Sequence, residues 1–165
     1  RDRSPSRGLG DVYKRQALQD MMDDARRAGL SPLICSSYRT RAKQEELHKN
    51  QVQKFLSEGY SQSMAEQKAS QWVAPPGTSE HELGLAVDIV ATDHQLLDET
   101  QEHTPEQKWL MENCWKYGFI LRYPTSKSSI TGIGYEPWHY RYVGKDAAKQ
   151  IMEQGICLEE YLNQV

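Results

Sequence analysis

Residues 79–89, with the sequence SEHELGLAVDI, constrain the chain more than any other segment. The second half alternates small or acidic residues with large apolar ones, which is typical of a strand with one face in a core. Asp88 then lies on the opposite face, where a carboxylate is costly to bury unless a cation or hydrogen bonds meet it. His81 precedes Asp88 by an odd number of residues, so the two converge only if the chain turns, which Gly84 allows. A histidine and an aspartate directed at one point are typical zinc ligands.

A third ligand is predicted in residues 134–143, GYEPWHYRYV. His139 lies there in an aromatic, strand-forming run, directly after the pair Glu136-Pro137. Two histidines and one aspartate leave zinc an open fourth position, as in catalytic zinc sites. Glu136 is then the expected general base beside the metal. The remaining histidines are expected to be non-ligands: His48, His94 and His103.

The two segments together resemble a known family. The pattern Ser-x-His-x-x-Gly-x-Ala-x-Asp, followed by Glu-Pro-Trp-His, is similar to that of the zinc D,D- and L,D-carboxypeptidases of peptidoglycan. These include the vancomycin-resistance type, in the lysostaphin and D-Ala-D-Ala metallopeptidase superfamily. The resemblance extends from about Ser36 to the C-terminus. It implies a zinc carboxypeptidase that removes the C-terminal D-alanine from peptidoglycan stem peptides, with His81, Asp88 and His139 as ligands and Glu136 as catalytic base.

Recognition of a free terminal carboxylate favours an arginine, because a guanidinium donates two parallel hydrogen bonds to that group. Arg39 resembles the substrate arginine of the family, and Gln44 resembles its companion on the following helix. Ser79 matches the family serine just before the first zinc ligand. Arg39 is alternatively a capping or salt-bridging residue.

Three functional alternatives stay open. D,D- and L,D-carboxypeptidases differ in the stereochemistry of the residue before the scissile bond, and no residue here decides between them. An endopeptidase that cuts within cross-links is less compatible with a clamp for a free carboxylate. A non-catalytic zinc-containing cell-wall-binding domain would need neither Glu136 nor an open coordination position.

Residues 1–16 are expected to be foreign to the domain. Residues 6–16 resemble the in-frame translation of a transposase sequencing adapter, so we interpret 1–16 as a non-native, adapter-derived segment and 17–165 as a single zinc carboxypeptidase domain. The segment holds five Lys/Arg and two Asp, which leaves 15 basic and 21 acidic residues, a net charge of −6. An acidic body disfavours nucleic acid as a partner.

The resemblance implies an exported or membrane-anchored bacterial protein, because peptidoglycan lies outside the cytoplasmic membrane. A signal or membrane anchor would belong to the region that residues 1–16 replace. A content of 38% hydrophobic and 26% charged residues fits one globular domain. The three cysteines show no metal-type spacing and are expected to be buried small hydrophobes: Cys35, Cys114 and Cys157.

The predicted fold class is α+β, with a small antiparallel sheet that carries the zinc site and helices that flank it. Ser63 and Glu66 are interpreted as a capping box, Thr104 as the cap of a later helix, and Gly118 as the end of that helix. Helices are expected over residues 17–28, from Thr40 to about Gly59, and over 63–73, 105–117, 144–154 and 158–162. Strands are expected over residues 32–39, 85–89 and 119–123 and in the run that carries His139.

Overall fold

A computed structural model describes the backbone of residues 5–165 and the side chains of residues 12–165. Within that part, seven helices surround four strands, and the predicted α+β class is confirmed. The helices are α1 (Pro5–Arg27), α2 (Arg41–Ser57), α3 (Gln62–Ser70), α4 (Pro105–Asn113), α5 (Ser128–Thr131), α6 (Lys145–Gln154) and α7 (Leu158–Leu162). The strands are β1 (Pro32–Ser36), β2 (Ala86–Ala91), β3 (Phe119–Leu121) and β4 (His139–Tyr142). Three short 3₁₀ helices cover Glu99–His103, Cys114–Tyr117 and Thr125–Lys127.

The strands form one antiparallel sheet in the order β1-β2-β4-β3. Asp88 of β2 lies directly opposite His139 of β4 on one side and opposite Ser36 of β1 on the other. Directly paired residues in a sheet project to the same face. The register therefore places one side chain from each of three strands in a row on the face that carries the predicted site.

The opposite face of the sheet forms the main hydrophobic core. Val87 and Ile89, which alternate with Asp88 along β2, are fully buried there, as the alternation predicts. Helices α1 and α4 cover this face. The buried members of the cluster are Met21, Met22, Val87, Ile89, Leu110, Cys114, Phe119 and Tyr140.

Local capping signals predict two helix starts correctly and one incorrectly. The Thr40 and Thr104 side chains accept hydrogen bonds from the backbone N–H three residues later, and both residues cap their helices as expected. Helix α3 is capped by Ser61, whose side chain accepts from Met64, so the prediction of Ser63 is wrong by two residues. The reason is that α2 ends with Tyr60 N–H bonded back to Phe55 O, which leaves Ser61 extended and free to cap.

The predicted helix over 105–117 continues past α4 only as the 3₁₀ turn Cys114–Tyr117, and Gly118 ends it at φ +84° as expected. Two of the cysteines are buried as predicted. Cys35 is exposed, so the prediction is wrong for that residue. It lies where the register of β1 shifts between Ile34 and Ser36, and it lines an open cavity instead of packing in the core.

Helix α1 begins at Pro5, well before the predicted start at residue 17, and runs through most of the segment interpreted as adapter-derived. Lys14 is only 6% exposed, and its ammonium donates to the backbone oxygens of Gly84 (2.5 Å) and Ala86 (3.0 Å). The segment therefore contacts the turn that enters β2, while its foreign origin stays a prediction. In the described part of the chain, no helix combines the length and the apolar character needed to span a membrane.

Candidate active site

The predicted turn before β2 brings His81 back toward Asp88. Gly84 has φ +69°, a left-handed conformation that favours glycine, and its N–H donates to His81 O at 3.1 Å. As a result, His81 Nε2 lies 3.3 Å from Asp88 Oδ2. The turn at Gly84 inferred from the odd spacing is confirmed.

His139 approaches Asp88 from the other side. As the first residue of β4, it places Nδ1 3.1 Å from Asp88 Oδ1. One ligand atom from each of His81, Asp88 and His139 lies within 4.8 Å of the other two, and all three residues are buried. Among the described residues, these three form the cluster of His, Cys, Asp and Glu side chains that can hold a metal ion.

The arrangement of polar atoms fits zinc. Two imidazole nitrogens and one carboxylate oxygen are a common zinc donor set. Asp88 Oδ1 is a buried oxygen with no hydrogen-bond donor directed at it from the described residues, although His139 Nδ1 is near. Buried polar atoms are normally satisfied, so this oxygen is available to a cation.

The charges of the cluster are strongly coupled. Burial opposes ionisation of Asp88, but the neighbouring imidazoles of His139 and His81 hold its pKa well below the usual range. Burial likewise disfavours a charged His139, yet the carboxylates of Asp88 and Glu80 raise its pKa to about 9. The cluster thus keeps its carboxylate ionised and favours a cation beside it.

Glu136 lies next to the metal cluster, as the sequence predicts. Its Oε2 is 3.6 Å from His139 Nδ1, and the His139 N–H donates to Glu136 O at 3.1 Å. Burial raises the pKa of Glu136 to about 8; the charge of His139 opposes this rise, and that of Asp88 adds to it. A carboxylate that takes up a proton near neutrality is suited to general acid–base chemistry.

Arg39 is directed into the same site. Its Nη2 lies 2.9 Å from Ser36 Oγ and 3.4 Å from Asp88 Oδ2, and Nη1 donates to Gln44 Oε1 at 2.9 Å. Gln44 is 1% exposed, and its amide nitrogen donates to Ala74 O at 2.7 Å. Both functional atoms of Gln44 are therefore engaged by the protein, so this residue holds Arg39 in place.

A cavity of about 1250 Å³ contains the site. Ser79 is buried in its wall, and the Ser79 N–H donates to the Glu82 carboxylate at 3.3 Å. Trp138 and Tyr123 also line the cavity, whereas Tyr140 is in the core and donates to Gln107 Oε1 at 2.7 Å. The other three histidines lie outside the metal cluster, as predicted.

Sequence reasoning missed Glu80 and left Arg122 without a specific role. The Glu80 carboxylate is partly buried and lies between Arg122 Nε (2.7 Å) and Arg141 Nη1 (3.1 Å). Burial opposes the ionisation of Glu80, but His139, Arg122 and Arg141 lower its pKa to about 2. The one available clue was its position directly before a predicted zinc ligand.

Comparison with known proteins confirms the family resemblance. The family model VanY, D-alanyl-D-alanine carboxypeptidase, matches residues 11–145. A D-alanyl-D-alanine carboxypeptidase of Enterococcus faecalis (strain ATCC 700802 / V583) is 50% identical over 147 residues, which are 88% of this chain and 53% of the relative. The chain thus spans about half the length of that curated protein.

Solved structures share both the fold and a large part of the sequence. VanYB in complex with D-alanine-D-alanine superimposes with a TM-score of 0.85 at 48% identity, covering 92% of this chain and 81% of the other. A vancomycin-resistance D,D-pentapeptidase VanY in complex with Zn(II) superimposes with a TM-score of 0.83 at 48% identity, covering 92% of this chain and 83% of the other. The LD-carboxypeptidase LdcB gives 0.81 at 41% identity, covering 93% and 68%.

Proposed function

This chain belongs to the D-alanyl-D-alanine carboxypeptidase family VanY, and on that premise we propose that it is a zinc-dependent carboxypeptidase of peptidoglycan stem peptides. Its reaction would release the C-terminal D-alanine. The observation that carries the proposal is the convergence of His81, Asp88 and His139, with Glu136 Oε2 only 3.6 Å from the His139 nitrogen that faces the cluster. The similar VanY in complex with Zn(II) supports zinc as the metal.

Each residue of the site has a chemical task in this proposal. His81, Asp88 and His139 would hold the zinc, and when bound it would supply Lewis acidity that polarises a peptide carbonyl and makes water acidic enough to lose a proton near pH 7. Glu136 accepts that proton as the water oxygen attacks the carbonyl carbon. When the C–N bond breaks, Glu136 returns the proton to the leaving amine of D-alanine.

Arg39 is proposed to bind the negative charge of the substrate. Its side chain is 16% exposed and lies at the cavity wall, so the terminal carboxylate can reach it. Gln44 and Ser36 fix the guanidinium plane. Because Nη2 is also 3.4 Å from the ligand Asp88, the negative charge that develops on the scissile carbonyl oxygen is a second candidate partner.

The family match favours D,D- over L,D-specificity. The D,D-pentapeptidase VanY is 48% identical to this chain, compared with 41% for the LD-carboxypeptidase LdcB. Assembled peptidoglycan lies outside the cytoplasmic membrane, so we also propose an extracytoplasmic location, by export or a membrane anchor. The buried carboxylate of Glu136 next to the metal cluster argues against a non-catalytic cell-wall-binding domain.

The test is incubation of the zinc-loaded protein with three separate substrates: a muramyl pentapeptide, a muramyl tetrapeptide and a cross-linked pair of stem peptides. A D,D-carboxypeptidase releases one D-alanine from the pentapeptide and leaves the tetrapeptide intact. Release from the tetrapeptide alone would identify an L,D-carboxypeptidase. Cleavage within cross-linked peptides, without release of free D-alanine, would favour an endopeptidase and contradict the proposal.

A further inference from the structure

Glu80 carries a partly buried carboxylate that the proposed chemistry does not use. It directly precedes His81 in the turn that enters β2, and its side chain is 11% exposed. Its Oε1 contacts Arg122 and Arg141, whereas its Oε2 lies 3.4 Å from His139 Nε2. The carboxylate therefore joins two guanidinium groups to a proposed zinc ligand.

The contacts distinguish the two nitrogens of the His139 ring. Nδ1 faces Asp88 Oδ1 at 3.1 Å and Glu136 Oε2 at 3.6 Å, whereas Nε2 faces Glu80. A neutral imidazole carries its proton on one nitrogen and can bind a metal through the other. An acceptor beside Nε2 keeps the proton there and leaves the Nδ1 lone pair free.

We propose that Glu80 is a positioning residue, which fixes the tautomer and ring orientation of His139 so that Nδ1 is presented to zinc. The inference rests on the proposed function, because it requires a metal at the cluster. His81 receives comparable support from the backbone: its Nδ1 lies 2.6 Å from Ser37 O. The His81 nitrogen that faces away from Asp88 thus contacts a backbone carbonyl, whereas the corresponding His139 nitrogen contacts the Glu80 carboxylate.

The support for Glu80 extends to the C-terminal helix. Arg122 donates from Nη1 and Nη2 to the two carboxylate oxygens of Glu159 in α7, at 2.9 and 2.6 Å. Such a two-point contact fixes the guanidinium plane, so Glu159 keeps the Arg122 Nε directed at Glu80. Glu159 lies beyond residues 11–145, the part matched by the family model. A segment outside the family match therefore supports the metal cluster.

The first test measures zinc affinity of the full chain by competition with a chromophoric chelator. Glu80→Gln keeps the shape of the side chain and removes its charge, so it should weaken zinc binding by roughly 10- to 100-fold. Glu159→Gln should weaken it by a smaller factor in the same direction. The matched control is Glu160→Gln, because Glu160 is the next residue of α7 but pairs with Lys127, at 2.9 Å. The control should bind zinc as wild type does.

The second test uses long-range ¹H–¹⁵N correlation spectra of the zinc-loaded wild type, so it does not depend on a variant that folds. His139 should carry its proton on Nε2, with Nδ1 bound to zinc. A proton on Nδ1, wild-type zinc affinity in Glu80→Gln, or an equal loss in Glu160→Gln would each overturn the role of Glu80. A wild type that binds no zinc would instead overturn the proposed function.

Discussion

Glu136 and His139 are adjacent in space but have different proposed roles. Glu136 transfers the proton, and His139 binds the metal. Glu136→Gln should keep about one zinc per chain, because the three ligands remain. It should lower kcat by about 10²–10⁴-fold, since the side chain can no longer accept a proton. Metal analysis and turnover of a stem pentapeptide by the same preparation measure both quantities.

The comparison variant is His139→Ala, which should lose zinc and activity together. Loss of zinc from Glu136→Gln would show that Glu136 is itself a ligand. Full metal content and activity in His139→Ala would remove His139 from the site.

The task of Arg39 can be separated from catalysis by changing the substrate as well as the protein. Arg39→Ala should weaken binding of a terminal carboxylate and act mainly on KM, because that interaction is present in the ground and transition states alike. Amidation of the peptide C-terminus should reduce the activity of wild type strongly and that of Arg39→Ala little further. The measurement is kcat/KM for both proteins on both substrates.

Additive losses in this cycle would show that Arg39 does not bind the carboxylate. A fall in kcat with unchanged KM would then favour charge stabilisation at the scissile carbonyl. The geometry allows that outcome, because Arg39 Nη2 lies 3.4 Å from the proposed ligand Asp88.

At the residue scale, the sequence predicts the reactive groups better than their partners. The proposed ligands His81 and Asp88 could be predicted from the sequence, because strand alternation and the turn that Gly84 allows constrain a short segment. The role of Glu80 was not predictable, because its partners Arg122, directly after β3, and Arg141, in β4, meet it only after the sheet has formed. Gln44 was identified through the family resemblance, but packing reveals that it holds Arg39.

At the scale of elements, the junction between the 3₁₀ turn Cys114–Tyr117 and β3 depends on Gly118. A Cβ there would lie 2.9 Å from Tyr142 Cε2 and 3.0 Å from the backbone C of Gly144. Gly118→Ala should cost about 1–2 kcal/mol for the left-handed conformation and a further 1–3 kcal/mol for overpacking. Urea unfolding measures the difference in free energy.

Gly155→Ala is the matched control, because Gly155 also ends a helix with positive φ but has open space around its Cβ position. Gly155→Ala should lower the free energy of unfolding only by the cost of the left-handed conformation, about 1–2 kcal/mol. Equal losses of unfolding free energy at the two positions would show that Tyr142 and Gly144 shift to admit the added Cβ without a free-energy cost.

The N-terminal half of α1 tests the proposed domain boundary. A chain that starts at Ala17 should match the full chain in melting temperature and turnover if residues 1–16 contribute neither to the fold nor to the function. Lys14→Met in the full chain is the control. It removes the two hydrogen bonds to Gly84 and Ala86 but keeps the helix, so it separates the loss of these bonds from the loss of the segment. A large loss in the shortened chain would show that the segment is native or structurally recruited.

Element boundaries were predictable where a local capping signal was unambiguous, as at Thr104-Pro105. They were not where two serines, Ser61 and Ser63, competed for one helix start, because the end of α2 decided which one was extended. The exposure of Cys35 likewise depends on the register shift in β1 and on the cavity beside it, and the five-residue sequence of the strand does not contain that information.

At the scale of the whole molecule, the site is a product of strand order. The order β1-β2-β4-β3 brings Ser36, Asp88 and His139 into one row, although they are far apart in the chain. Strand order is a non-local property, so the sequence predicts the fold class but not the sheet that assembles the row. The family resemblance indicated that distant residues such as Asp88 and His139 meet in one site, which periodicity alone does not show.

A zinc titration of the metal-free protein tests most directly whether it is a zinc carboxypeptidase. The signal is the D-alanine released from a stem pentapeptide. Release should be absent before zinc is added, rise in proportion to zinc, and stop rising at about one equivalent per chain, as one catalytic site requires. D-alanine release from the metal-free protein, or none after one equivalent is bound, would contradict a zinc carboxypeptidase.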